Sequence, residues 1–337
     1  MGLLFAFFQE ARIQPLWWFV SPKSHLEAKE QIEIFQSVIK GKLTKVPQAF
    51  SLTQDNNVLV GEVNAEVYIP ASSFVALDFE TGEIILEKNA DEVRSVASLT
   101  KIMTAIVALD LAEPEETFEI SQYAADRIPT KIGIVIGQHM SLNDLLKAAL
   151  MTSANDAAEV IREGIDTKYG EEVFIRAMNE KAHFLGLKHT SFDNPQGFDG
   201  RDNYSSAKDL ALLSHYAMKH YHVFAEIVKD DYDFLPENND HKQFDLINWN
   251  GLIGVYPNTY GIKIGYTERA GKTTVVASER NGKHVLVVLL GTESILDRDY
   301  YAASLLDQAF EKAYGFEPVG ITEEQLQEKY ATWNQYY

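Results

Sequence analysis

The chain has 337 residues, room for one large domain or two small ones. Hydrophobic residues at 46% and charged residues at 23% are ordinary globular values, and the formal net charge of −19 argues against nucleic acid or anionic lipid as the main partner. There are no cysteines, which excludes disulfides, thiolate metal sites and cysteine nucleophiles.

Met1 to Val20 is apolar and aromatic-rich, with Phe5, Phe7, Phe8, Trp17, Trp18 and Phe19. Gln9, Glu10, Arg12, Gln14 and Pro15 interrupt it, so its apolar runs fall short of the roughly 20 residues of a spanning helix. No positive charge precedes Phe8, as a secretory signal would want. A poor or truncated signal, an interfacial anchor and a misassigned start all fit, and the aromatic content favours N-terminal membrane contact. His25 to about Lys40 reads as an amphipathic helix, followed by a Gly-Lys-Leu-Thr-Lys linker; residues 51–70 are polar and extended, and Pro70 closes them. Residues 1–70 are therefore expected to form a separate N-terminal segment, 71–315 the main domain and 316–337 a short tail.

Ser73 to Asp78 and Glu83 to Glu87 read as strands around Glu80-Thr81-Gly82. Ile102, Met103, Ile106, Val107 and Leu111 recur at helical spacing, which predicts a helix from Ser98 to Leu111 that Glu113-Pro114 stops. Helical patterns continue to about residue 230. Gly271 to Glu279 and Lys283 to Gly291 are strand-like, and Arg280-Asn281-Gly282 between them carries the strong Asn-Gly hairpin signal. A last helix runs from about Ser294 to Ala313. Strands at both ends with helices between predict an α+β fold. Both ends of the domain form one antiparallel sheet, helices flank it, and a mostly helical subdomain is inserted. The cleft between sheet and helical part is the expected active site.

Ser98 and Lys101 lie three apart on that first helix, so their side chains share a face. A serine hydroxyl needs a nearby base to act as a nucleophile, and a lysine supplies one only when burial or another cation makes it neutral. Alone, Ser98 reads as readily as a helix cap. Likewise Ser153 and Asn155 could cap a helix starting at Asp156, and Lys263 could be a solvated strand lysine. Their order changes that weighting. Ser98-Leu99-Thr100-Lys101, Ser153-Ala154-Asn155 and Lys263-Ile264-Gly265 approximate the Ser-x-x-Lys, Ser-Asp-Asn and Lys-Thr-Gly motifs shared by class A β-lactamases and penicillin-binding proteins.

With these motifs the chain resembles the serine D-alanyl-D-alanine carboxypeptidases, the low-molecular-mass penicillin-binding proteins. The resemblance covers roughly 71–315. It includes SFVALDFETGEIILEKNADEVRSVASLTKIMTA, LLKAALMTSANDAAEVI, FIRAMNEKAHFLGLKHTSFDNPQGFD and YGIKIGYTERAGKTTVVASERNGKHVLVVLLG. It implies that Ser98 is acylated, that Lys101 is its base, and that Ser153 relays a proton to the leaving nitrogen. It implies that Asn155 orients Lys101 or binds substrate. It implies that Lys263 lies on the strand edging the cleft, keeps Lys101 neutral and attracts the substrate carboxylate. It implies too that Gly265 lets substrate approach the strand and that the backbone N–H groups of Ser98 and Tyr266 form the oxyanion hole. Peptidoglycan stem peptides are the implied substrates and β-lactam antibiotics the implied acylating inhibitors. No metal or organic cofactor is implied, and the implied location is outside the cytoplasmic membrane. Many family members carry a β-rich C-terminal domain and an anchoring helix. Only about 22 residues follow Gly315, so an anchor is expected at the N-terminus, or Trp333, Tyr336 and Tyr337 touch a surface.

Ile264 departs from the family's threonine, whose hydroxyl would bind the substrate's free carboxylate. A charge-assisted hydrogen bond is worth about 1.5–3 kcal/mol, or about 10- to 150-fold in binding or rate. Thr267 and Arg298 are candidates to compensate, Arg298 being equally readable as a surface ion pair with Asp297 or Asp299. Ile264 also keeps a second reading open, a weakened relative that binds peptidoglycan or a partner. A β-lactamase is a third, against which stands the lack of a Glu-x-x-Leu-Asn after Asn155. Ala270-Gly271-Lys272-Thr273 is no phosphate loop, because its glycine spacing is wrong and strand follows it. His215, His220 and His222 lack paired acidic ligands at helical spacing and read as packed or solvated.

Overall fold

The computed structural model describes residues 38–45 and 69–336. A five-stranded antiparallel sheet forms its centre, in the order β2-β1-β9-β8-β7. β1 (Ser73–Asp78) and β2 (Ile84–Lys88) come from one end of the domain. β7 (Thr259–Thr267), β8 (Gly271–Arg280) and β9 (Lys283–Thr292) come from the other. The two ends meet where β1 pairs with β9, Val75 opposite Val288 and Ala76 opposite Val287. The β1–β2 turn is held by the Asp78 carboxylate, which accepts from the Glu80 and Thr81 amides at 2.8 and 2.7 Å. Asn281 and Gly282 both have positive φ, 51° and 74°, as the two-residue turn between β8 and β9 requires.

Alternation along the strands divides the core in two. Phe74, Ala76, Val276, Val285, Val287 and Leu289 face α9 (Ile295–Tyr314). Val75, Leu77, Val275, Leu286, Val288 and Leu290 face the helical part. Both sheet faces are covered, which is why these strands read as continuous apolar runs. Ser294 and Asp297 form a reciprocal capping box that starts α9.

Ala97–Thr100 is a short 3₁₀ turn leading into α2 (Lys101–Leu111), whose residues are buried on nearly every side. Around α2 pack α4 (Leu142–Leu150), α5 (Asn155–Tyr169), α6 (Val173–Leu185) and α7 (Ala207–His220). Between β2 and β7 lie also α3 (Gln122–Ala125), α8 (His222–Ile227) and two small ribbons. β3 (Thr117–Glu119) pairs with β4 (His139–Ser141), and β5 (Tyr232–Leu235) with β6 (Phe244–Ile247). β3 and β4, of three residues each, interrupt the stretch expected to be helical, and β5 and β6 follow it. His215 is buried against Phe79, ring centroids 4.7 Å apart, and burial holds its pKa down to about 4.

Two expectations are corrected at the ends. The expected helix from His25 lies mostly outside the described residues, but Gly41-Lys42-Leu43 is no linker. It belongs to α1 (Lys40–Leu43), which is docked by the buried Ile39 and Leu43. The buried Lys181 fixes it, donating to the Leu43 carbonyl at 2.6 Å while paired with Asp110 at 2.9 Å. The tail is folded as well. In α10 (Glu323–Thr332), Leu326 is buried in the core beside α9. Trp333 packs edge-on against Trp249 and Tyr336 stacks on Tyr232, so these aromatics are held by the protein itself. Among the described residues no helix is long and apolar enough to cross a membrane. The aromatic stretch Met1 to Val20, and Tyr337, lie outside them.

Candidate active site

Ser98 sits in the 3₁₀ turn, one residue after Ala97, which has a φ of 50°. The site is built around Lys101, the first residue of α2, which is fully buried. Its Nζ is 3.0 Å from Ser98 Oγ, 2.7 Å from Asn155 Oδ1 and 2.7 Å from the Gln196 carbonyl oxygen. Burial drives the Lys101 pKa well below the ordinary lysine value, Lys263 lowers it further, and Asp156 opposes them. An amine with two N–H groups and one lone pair satisfies all three contacts. It donates to the two carbonyl oxygens and accepts from the serine hydroxyl. That arrangement activates a nucleophile.

The middle motif enters from the start of α5. Neither Ser153 nor Asn155 caps this helix, whose N-cap is Ala154 without a side-chain bond. Ser153 instead has a φ of 63° and is nearly buried, and its hydroxyl is not bonded to Lys101. The Asn155 amide donates to the Thr130 carbonyl at 2.8 Å. Asp156, fully buried, accepts from the Ile132, Gly133 and Ile134 amides and ties residues 132–134 to α5. Burial raises its pKa, and those amides hold it down.

β7 carries the third motif and is the sheet's edge strand. Lys263 is 1% exposed; burial first, then the Arg298 guanidinium, lower its pKa to about 7. A solvated strand lysine it is not. Ile264 is half-buried beside it. Gly265 was expected to admit substrate, and the structure shows a different reason for glycine. A Cβ there would lie 2.9 Å from the Ser98 amide nitrogen and 3.0 Å from Ala97 Cβ. The strand is pressed against the nucleophile turn itself. Tyr266 is exposed, with its hydroxyl on Glu268 at 2.6 Å and Lys272 over its ring.

Neither candidate replacement for the missing threonine is free. The Thr267 hydroxyl donates to Asp199 at 2.8 Å and accepts from the Ala270 amide. Arg298 is paired with Asp299, but in the interior and not at the surface, both being nearly inaccessible. Its Nε and Nη2 meet the two Asp299 oxygens at 2.7 and 2.8 Å, and Nη2 also reaches the Trp249 carbonyl. Nη1 stands outside these bonds. Tyr330 of α10 donates to the same Asp299 at 2.8 Å.

Gln196 was not singled out in the sequence, because its backbone oxygen carries no residue signature. The one local signal is Gly197 after it, with a φ of 92° and a Cβ position 2.0 Å from the Ala97 carbonyl. Only a residue without a Cβ fits where the loop meets the nucleophile turn at this position.

Known proteins are similar to this chain. The model of peptidase S11, D-alanyl-D-alanine carboxypeptidase, matches residues 60–294. The D-alanyl-D-alanine carboxypeptidase DacF of Bacillus subtilis is 33% identical over 273 residues, 80% of this chain and 68% of that protein. The crystal structure of the Streptomyces K15 DD-transpeptidase superposes with a TM-score of 0.67 at 28% identity, covering 72% of this chain and 98% of that one. Penicillin-binding protein D2 of Listeria monocytogenes, solved in its ampicillin-bound form, gives a TM-score of 0.61 at 28% identity, over 72% and 98% of the two chains. Sequence, sheet order and a buried lysine beside a serine thus lead to one place, and the chain belongs to the peptidase S11 family of D-alanyl-D-alanine carboxypeptidases.

Proposed function

We propose that this chain is a serine-type D-alanyl-D-alanine carboxypeptidase that removes the terminal D-alanine from peptidoglycan stem peptides through an acyl-enzyme on Ser98. The observation that carries this is the buried Lys101 amine, 3.0 Å from Ser98 Oγ and saturated by two carbonyl acceptors. Ser98 attacks the carbonyl between the two D-alanines while Lys101 takes the hydroxyl proton. The oxyanion is held by the backbone N–H groups of Ser98 and Tyr266. Ser153 passes the proton from Lys101 to the leaving nitrogen, and D-alanine departs. Water, deprotonated by Lys101, then attacks the ester and frees the shortened peptide and Ser98. Lys263 and the Nη1 group of Arg298 draw the substrate carboxylate toward β7. Stem peptides lie outside the cytoplasmic membrane, so the reading places the protein there, with residues 1–20 as its membrane contact.

Intact mass after incubation with a penicillin tests the reading, on the wild type and on Ser98→Ala. A one-to-one adduct on the wild type alone is expected. Rapid turnover without a lasting adduct would mean a β-lactamase, and no adduct on either would mean a binding relative disabled at Ile264.

A further inference from the structure

Two of the three contacts around Lys101 are governed from one helix. Asn155 makes the first directly. Glu159 lies one turn further along α5, on the same face, and is 3% exposed. One Glu159 oxygen accepts from Arg162 Nε at 2.7 Å; the other accepts from the Gln196 side-chain amide. Gln196 is 2% exposed, and its backbone carbonyl is the acceptor 2.7 Å from Lys101 Nζ. On one side of it the Pro195 carbonyl is bonded by Thr104 Oγ1 at 2.8 Å. On the other, Gly197 is packed against Ala97.

We propose that Glu159 is a positioning residue for Lys101. Through the Gln196 side chain it fixes the plane of the Gln196 peptide, and so turns the lone pair of the amine toward Ser98. A neutral amine has two N–H groups, and the Asn155 and Gln196 oxygens engage both. The direction left over is the one toward Ser98 Oγ. With the Gln196 carbonyl turned away, one N–H is released and can point at Ser98, an orientation in which the amine cannot take the hydroxyl proton. The neutral Gln196 also stands between the carboxylate and the lysine. A carboxylate in direct contact would favour the ammonium form, and Arg162, held as well by Asp166 at 2.7 Å, balances the Glu159 charge. The helix thereby steers the lysine without protonating it.

This role presupposes that Lys101 is the base for Ser98. The test measures the limiting rate of acylation by a penicillin, and the half-saturating concentration, for the wild type, Glu159→Ala, Glu159→Gln and Gln196→Ala. Glu159→Ala and Gln196→Ala should each slow the limiting rate about tenfold and leave the half-saturating concentration within about twofold, as for an interaction made in the transition state. Glu159→Gln, whose amide oxygen still accepts from Gln196, should stay within about threefold of the wild type. Limiting rates unchanged in both alanine variants, with only a lower melting temperature, would overturn the proposal. So would equal losses in Glu159→Gln and Glu159→Ala. Should Glu159→Ala fail to fold, Gln196→Ala decides, because it leaves the Glu159–Arg162 pair in place. A wild type that takes no adduct overturns the carboxypeptidase reading and this role together; a wild type acylated at the same rate as its alanine variants overturns this role alone.

Discussion

Lys263 should impose an alkaline limit close to neutrality. Its pKa is lowered to about 7, first by burial and then by Arg298. In the free enzyme the cationic fraction therefore falls as pH rises through about 7. With that cation recruiting the substrate carboxylate, kcat/KM for a peptide ending in D-Ala-D-Ala declines about tenfold per unit above that pH. A bound carboxylate favours the ammonium form, so the same limb in kcat moves to higher pH, by about one unit or more. Lys101 sets the opposite limb, because it must be neutral and rate rises as it loses its proton. Stability follows the same group. Unfolded Lys263 binds its proton up to the ordinary value of 10.5, so between about 7 and 10.5 the unfolded chain holds more protons than the folded one. Folding stability from this residue then grows as pH rises through that window and is lowest below it. At about 1.36 kcal/mol per unit, the penalty near pH 7 is about 4–5 kcal/mol. Lys263→Met should be more stable than the wild type at pH 7, by about 2–4 kcal/mol in urea unfolding after imperfect packing is allowed for. The advantage should shrink toward pH 10. Alkaline limbs that coincide in kcat/KM and kcat, or that both lie near 10, refute the kinetic part. A variant no more stable at pH 7 than at pH 10, relative to the wild type, refutes the rest.

Ile264→Thr should raise kcat/KM by about 10- to 150-fold for peptides with a free terminal carboxylate, and leave esters blocked at that carboxylate nearly unchanged; steady-state kinetics on the two substrates decides. Gly265→Ala should push β7 off the nucleophile turn, because its Cβ would lie 2.9 Å from the Ser98 amide. The expected cost is about 1–3 kcal/mol of stability and at least about tenfold in acylation rate, read by thermal melting and adduct formation. Tyr330→Phe removes one donor from the buried Asp299 and should lower unfolding free energy by about 1–2 kcal/mol in a urea titration.

What could be read from the residues was what local spacing encodes. Ser98 and Lys101 are less than a turn apart, so their contact follows from helix geometry alone. The hairpin at Asn281-Gly282 follows from backbone conformations that those two residues tolerate. The joining of both ends in one sheet followed from the order of strands and helices. Partner choice was less legible. Arg298 had Asp297 and Asp299 at hand; Ser294-x-x-Asp297 has the spacing of a capping box, but only the fold shows that Asp299 lies inward. Thr267 could not be known to bond Asp199, 68 residues away. Elements with little periodicity escaped as well. α10 has a single buried residue, Leu326, so it read as a tail. Four residues of α1 left too short a pattern to tell a helix end from a linker.

The three basic groups of the site form a series in which each conditions the next. The Arg298 guanidinium is the first member, paired locally with Asp299. It lowers Lys263, which stays within reach of neutral pH and therefore carries a variable charge. Lys101 is lowered by burial first and then by Lys263. Burial alone would suffice to depress both lysines, but burial does not distinguish them. Their neighbours do: Lys263 faces the Arg298 guanidinium, and Lys101 faces Lys263. In a chain with a net charge of −19, the charge interactions thus run from Arg298 to Lys263 and from Lys263 to Lys101, the amine beside Ser98.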